Sequence, residues 1–384
     1  MSRQGFFCRQ TDLKTIYFSK SSGKPPLPPL LAKEGNEGRS KFKTNMSITT
    51  ADVNTLIEKF GNITPDILKT IGWTPLVKLN KITRDIKPNI LAKLEFLNPA
   101  GSVKDRMALF IIEDAEKRGL LKPGGTIVEN SSGNTGAALA MIAAVKGYKC
   151  IITMPDKMSD EKKNLMKAFG AEVVVTPTDV PPDSPESYYS VAKRIARETP
   201  NSYYPDQYNN PKNIDSHYYT TGPEIWKQTR GKVDYFVAGI GTGGTMSGAG
   251  KYLKEMNPAI KIIAVDPEGS VFYDYFKTGK LIKPHVYKVE GIGEDYLVKA
   301  VDFALIDDII QVHDKESFLM GRRLAREEGI FAGGSSGSAV WAAMKIAGEI
   351  KENKNIVVIL PDSGSRYLSK MYNDEWMRAN GFLE

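Results

Sequence analysis

The chain has 384 residues, 41% hydrophobic and 25% charged, ordinary for a globular protein with room for one two-lobed domain or two domains. Its net charge of +7 sits almost wholly in residues 1–45, with nine Lys/Arg against three Asp/Glu; the rest is balanced at 43 against 42. The body therefore lacks the bulk charge of a nucleic-acid binder, two cysteines cannot build a disulfide framework or metal cluster, and no apolar run approaches the ~20 residues of a membrane span.

Residues 1–45 hold "SSGKPPLPPLLAKEGNEGRSKFK", polar, basic and rich in Pro and Gly, which reads as a disordered tail. "PPLPP" is compatible with a polyproline ligand, and the low acidity also allows a transit-peptide reading. The functional protein is expected to start near Met46, where "MSITTADVNTLIEKFGN" reads as a natural opening. From about Pro88 short β-rich runs alternate with longer helical periods. The expected strands are "NILAKLEFL", "TIVENSS", "KCIITMP", "AEVVVTP", "VDYFVAGIG", "IKIIAVDP", "DIIQVHD" and "NIVVILPDSG". Several are unbroken Val/Ile/Leu runs, as in a parallel sheet covered on both faces. Between them "SVKDRMALFIIEDAEKRG", "GNTGAALAMIAAVKG" and "DEKKNLMKAFG" have apolar residues at helical spacing and close on glycine. The pattern predicts an α/β fold with right-handed crossovers. Cys150, inside "KCIITMP", reads as buried filler, and the cysteine usage fits a reducing, cytoplasmic setting.

In open parallel α/β sheets ligands gather beyond the carboxyl ends of the strands, so the residues after each strand carry the argument. "NPAGSVKDR" places Lys104 in the first turn of a helix with Ser102 as the expected N-cap. A positive helix end disfavours an ammonium, so Lys104 either leans into water beside an acid or is wanted there uncharged. "ENSSGNTGAALA" opens a helix at Gly133 or Asn134 and reads either as a carboxylate- or phosphate-sized nest or as a well-capped turn. "GIGTGGTMSGAG" offers backbone N–H groups and threonine hydroxyls to a phosphate. It lacks the "GK[ST]" of a Walker A loop and lies too late in the chain for a dinucleotide fingerprint. "FAGGSSGSAVWAAMKIAGE" adds serines at a further helix start, with a plain cap as the other reading. No metal cluster is expected. His217, His285 and His313 are scattered, with only His217 in a loop-rich polar region, and no GxSxG elbow supports a serine triad.

Taken together and in order, "NPAGSVKDR", "SSGNTG", "GTGGT" and "GGSSGS" resemble the fold-type-II pyridoxal-phosphate enzymes, over roughly Asp66 to Phe382. The resemblance implies two lobes, each a mostly parallel sheet flanked by helices: a smaller one at roughly 92–208 and a larger one from 46–91 plus 209–384. It implies that Lys104 forms the Schiff base with pyridoxal 5′-phosphate and then acts as general base. Asn134 would bond the ring 3′-oxygen. Gly241, Thr242, Gly243, Gly244 and Thr245 would hold the 5′-phosphate, and Ser335 would face the ring nitrogen beside Pro361. Ser131, Ser132, Gly133 and Thr135 would receive the substrate carboxylate. A positive helix terminus would help keep Lys104 neutral, and a serine at the ring nitrogen leaves the ring near neutral, favouring loss of a β-leaving group.

Within the family the body is most similar to the cystathionine β-synthase branch, through "TPTDVPPDSPESYYSVAKRI", "NSYYPDQYNN", "HYYTTGPEIW", "AVDPEGS" and "VEGIGEDY". That similarity implies condensation of L-serine or O-acetylserine with L-homocysteine to L-cystathionine, by a homodimer. It puts Asp206, Gln207, Tyr208, Gly291 and Glu294 by the substrate pocket. The alternative is cysteine synthase activity on O-acetylserine and sulfide; a dehydratase and a catalytically silent partner-binding homologue are further readings. Three departures stand out. No histidine precedes His217, so the haem segment of animal members is not expected. The chain ends at "WMRANGFLE", so neither is a C-terminal regulatory module with its S-adenosylmethionine control. Glu294 replaces their tyrosine, either to reach the α-amino group of homocysteine or as a solvated loop acid.

Overall fold

The computed structural model describes residues 63–384 apart from Pro182. The expectations for the tail and for a start at Met46 fall outside the described residues. The strands are β1 (Leu76–Lys78), β2 (Asn89–Leu94), β3 (Thr126–Asn130), β4 (Lys149–Pro155) and β5 (Glu172–Thr176). They continue with β6 (Ser202–Tyr203), β7 (Tyr235–Gly239), β8 (Lys261–Pro267), β9 (Asp308–Val312) and β10 (Asn355–Leu360). The first helices are α1 (Lys104–Lys117), α2 (Asn134–Lys146), α3 (Asp160–Ala168), α4 (Tyr188–Glu198), α5 (Lys212–Tyr219) and α6 (Thr221–Gln228). Then come α7 (Gly244–Met256), α8 (Phe272–Thr278), α9 (Asp314–Arg323), α10 (Gly334–Glu349) and α11 (Asp374–Ala379).

Two sheets form, in the orders β1-β2-β10-β7-β8-β9 and β5-β4-β3-β6, and every pairing is parallel except β1 with β2. This is the α/β architecture expected, and all eight expected strands form. The central β10 shows why its sequence is uninterruptedly apolar. Ile356, Val358 and Leu360 join one buried cluster with Ile90, Ala92 and Ala339, while Val357 and Ile359 join another with Phe236 and Ile262. Successive side chains point to opposite faces, so both faces of the large sheet are dry. Around the small sheet a third cluster packs Ile127 and Ile152 against α2, whose residues from Thr135 to Ala143 are all buried. A helix apolar on every side belongs in the interior, which accounts for "GAALAMIAA".

Two sequence readings need correction. The N-cap of α1 is Val103, already helical at φ −58°, rather than Ser102; the Ser102 hydroxyl still accepts the Lys104 N–H at 3.2 Å. "FAGGSSGS" follows a helical segment ending at Glu328, not a strand, and an isolated bridge between Ala332 and Ser363 brings it to the end of β10.

Beneath the start of α1 lies a buried four-charge cluster. Arg106 donates to Glu95 at 2.7 and 2.8 Å and to Glu224 at 2.6 and 2.7 Å, and Lys93 reaches Glu224 at 2.8 Å. Two cations face two anions, so the cluster is neutral and ties α1 to β2 and α6. The arginine holds Glu95 down at about 2, against the burial that would raise it.

Candidate active site

A cavity of about 510 Å³ opens where the carboxyl ends of β2, β3, β7 and β10 meet the starts of α1, α2, α7 and α10. Lys104, Ser131, Ser132, Asn134, Thr135, Gln207, Tyr208, Gly241, Thr242, Gly291, Glu294, Ser335 and Pro361 all line it. Residues separated by up to 257 positions in sequence thus share one wall space, at a volume usual for a small-molecule site. Gly133, Gly243, Gly244 and Thr245 sit just behind, at the starts of α2 and α7. Asp206 does not line the cavity; it is held at φ +51° and accepts the Asn209 amide.

Lys104 is the first residue of α1, and burial lowers its pKa, partly opposed by Asp362 and Glu294. Of the two readings open for this lysine, the uncharged amine is the one the surroundings favour. Across from it Glu294 is half-buried rather than a solvated loop acid. Burial pushes its carboxyl up to about 8, with Asp295 adding to the rise, while a hydrogen bond from Tyr208 works against it. Tyr208 stands in a group of phenols, its ring 6.1 Å from Tyr189 and 6.2 Å from Tyr296.

The nest at the start of α2 is braced from inside. Ser131 Oγ accepts the N–H groups of Gly133 and Gly136 at 3.1 and 2.9 Å. Thr135 donates to Gln207 Oε1 at 2.7 Å, tying the nest to the loop before α5. Asn134 Nδ2 donates to Asp362 at 2.9 Å, Tyr367 donates to the same oxygen at 2.7 Å, and Arg366 donates to the side-chain Oδ1 of Asn134. Asp362 escaped the sequence reading although it stands two positions after the end of β10, where the rule of strand carboxyl ends points. His217 is not in a loop. It lies buried in the eight-residue α5. Cys150 is buried as expected, its thiol pushed up to about 12 by burial. Among the described residues no group of His, Cys, Asp and Glu is placed to hold a metal, and no helix is long and apolar enough to cross a membrane.

The start of α7 is shaped for an anion. Its first turn has no acidic residue, Gly243 caps it at φ +82°, and a Cβ on Gly241 would lie 2.8 Å from the Gly291 carbonyl oxygen. Only glycine keeps this backbone so close to its neighbours while leaving N–H groups free at a helix start. Residues 67–362 match the family described as pyridoxal-phosphate dependent enzyme. The chain belongs to that family. As a pyridoxal-phosphate dependent enzyme it must meet a phosphate, an aldehyde and a polar ring, and the cavity fits all three. It offers the glycine cradle of 241–245, an amine whose charge is disfavoured, and the buried Ser335 with the Asn134 amide. Named relatives are similar over most of this chain. The cystathionine beta-synthase of Apis mellifera is 53% identical over 327 residues, 85% of this chain and 64% of that protein. That of Mus musculus is 49% identical, covering 86% and 59% respectively. A cysteine synthase of Staphylococcus aureus is 45% identical over 306 residues, 79% of this chain and 95% of that protein. The chain thus spans 59–64% of the length of these two cystathionine beta-synthases.

Proposed function

We propose that the enzyme performs β-replacement, joining L-serine or O-acetylserine to L-homocysteine to give L-cystathionine. The observation that carries this reading is Lys104, an amine with lowered pKa facing a cavity that also holds Glu294. Bound there, pyridoxal phosphate supplies an aldehyde for Lys104 and a ring that withdraws electrons from the substrate α-carbon. Gly241 to Thr245 would hold its phosphate, Asn134 its 3′-oxygen, and Ser335, with Pro361 beside it, its ring nitrogen. Ser131, Ser132, Gly133 and Thr135 hold the amino-acid carboxylate, with Gln207 behind Thr135. Lys104 Nζ takes the proton from the α-carbon, and the hydroxyl of Ser335, being neutral, leaves the ring nitrogen unprotonated. Glu294, on the Gly291 loop beside Tyr208, accepts from the α-amino group of homocysteine and sets its sulfur toward the β-carbon.

The second reading is cysteine synthase, favoured by the coverage of 95% of the Staphylococcus aureus protein. Assays pairing serine or O-acetylserine with homocysteine or sulfide separate the two. Cystathionine absent from every pairing rejects the first. An unchanged KM for homocysteine in Glu294→Ala removes that contact. Borohydride reduction and peptide mapping should place the pyridoxyl group on Lys104. The lobes at roughly 92–208 and at 46–91 plus 209–384 (residues 46–62 of that range lie outside the described residues), the homodimer and the cytoplasmic location belong to this proposal. Sedimentation and fractionation test the last two.

A further inference from the structure

Helix α5 sets two side chains, one turn apart, against the loop 241–245. Asn213 Nδ2 donates to Thr242 Oγ1 at 3.0 Å, and His217 Nε2 lies 3.2 Å from Thr245 Oγ1. Both residues are buried, at 1% exposure. Two glycines at the same spacing on α7 permit the approach. A Cβ on Gly244 would lie 1.9 Å from Asn213 Oδ1, and one on Gly248 would lie 2.3 Å from the Ile214 carbonyl oxygen and 2.8 Å from His217 Cβ. None of the steps proposed above uses Asn213 or His217.

The donor role of the Asn213 amide follows from the chemistry, while those of the two His217 nitrogens depend on its tautomer. An amide NH₂ only donates, so Thr242 Oγ1 takes that bond on a lone pair and keeps its own O–H for another acceptor. His217 is held neutral, its pKa pushed down to about 3 by burial first and then by Arg106, with Glu95 opposing. A neutral imidazole has one donor and one acceptor nitrogen. Its Nδ1 lies 2.8 Å from Thr221 Oγ1, a hydroxyl able to donate. With Nδ1 accepting there, Nε2–H donates to Thr245 Oγ1, and the Thr245 O–H is released as well. Both threonines then present hydrogens at the start of α7, where only an anion profits.

We infer that Asn213 and His217 are positioning residues for the cofactor phosphate: they hold Thr242 and Thr245 by their oxygen lone pairs so that both hydroxyls donate to it. The inference rests on the proposed seat of the phosphate in the loop 241–245. Asn213 Nδ2 also donates to the Gln207 carbonyl at 2.9 Å, so the same amide links the phosphate loop to the residue that braces Thr135.

The test compares binding of pyridoxal phosphate and of pyridoxal, which lacks the phosphate, to apoprotein of the full chain. Asn213→Leu, His217→Leu and Thr245→Val should each weaken pyridoxal phosphate about tenfold, leave pyridoxal unchanged, and shift the ³¹P resonance of the bound phosphate. His217→Leu should add nothing once Thr245→Val is present. His217→Gln, whose amide still donates, should restore most of the affinity. Nitrogen-15 spectra of the wild-type holoenzyme should show the His217 proton on Nε2, a readout needing no variant. Equal losses for the two ligands, additive effects of the His217 and Thr245 changes, or the proton on Nδ1 would overturn the inference. Borohydride labelling of Lys104 in every variant distinguishes the two failures: labelling intact with no selective loss of the phosphorylated ligand sinks this inference and leaves the proposed reaction standing.

Discussion

Lys162 Nζ stands 5.3 Å from the centre of the Tyr367 ring, while its carbon chain closes over Gly133, where an added Cβ would lie 2.9 Å from Lys162 Cδ. The same ammonium pairs with Glu290, which also accepts from Lys370 at 2.6 Å. A helix of the small sheet, the loop leading to Gly291 and the segment after Tyr367 are thereby joined at the cavity. Glu290→Gln leaves the buried Lys162 ammonium without its counter-charge and removes the partner of the half-buried Lys370. It should cost about 3 kcal/mol, read by urea denaturation, and raise the amino-acid KM more than it lowers kcat.

Glu224→Ala should be more damaging to the fold. It leaves Lys93 and Arg106 with Glu95 as their one anion in a buried space. The expected loss is about 3–5 kcal/mol, with weaker cofactor retention because Arg106 is two residues from Lys104. Equilibrium unfolding together with absorbance of the bound cofactor checks both.

Glu294 makes a pH prediction with a definite sign. Its folded-state pKa is raised to about 8 from 4.5. Between those values the folded apoprotein binds more protons than the unfolded chain at this site. The stability tied to Glu294 is therefore whole below about 4.5 and is lost as pH rises through about 8. Glu294→Gln removes that loss. The Tm of the variant apoprotein minus that of wild type should grow from pH 4.5 to pH 8, and a flat difference would contradict the burial of this carboxyl.

Gly243→Ala tests the cradle. The residue sits at φ +82°, and a Cβ would lie 2.8 Å from the backbone carbon of Ala300. Strain and contact together should cost about 1–3 kcal/mol. Affinity for pyridoxal phosphate should fall with it, measured by titration of the apoprotein.

The large strands were legible because a parallel strand buried on both faces must be written as an apolar run. The two that escaped notice, β1 and β6, have three and two residues and carry no period. Lys104, Asn134, Thr242 and Ser335 were within reach because their positions beside helix starts are local properties of the chain. Asn213, His217, Glu290 and Asp362 were not, since their meaning lies in partners 29, 28, 128 and 228 residues away. "KNIDSHYY" has no local mark that distinguishes a histidine under a phosphate loop from one in a polar turn. Gly244 and Gly248 were visible as glycines, but the helix they admit was not.

The strand order β1-β2-β10-β7-β8-β9 constrains how the protein can be made. β10 lies between β2 and β7, yet Asn355, its first residue, comes 261 positions after Leu94, the last residue of β2. During synthesis β2 must wait through the whole intervening polypeptide for its neighbour, whereas β3 to β6 can zip up early from adjacent stretches. On the ribosome the large sheet should stay open, with a bare hydrophobic seam, until β10 has emerged. A chain cut off before Asn355 would be a chaperone client instead of an enzyme.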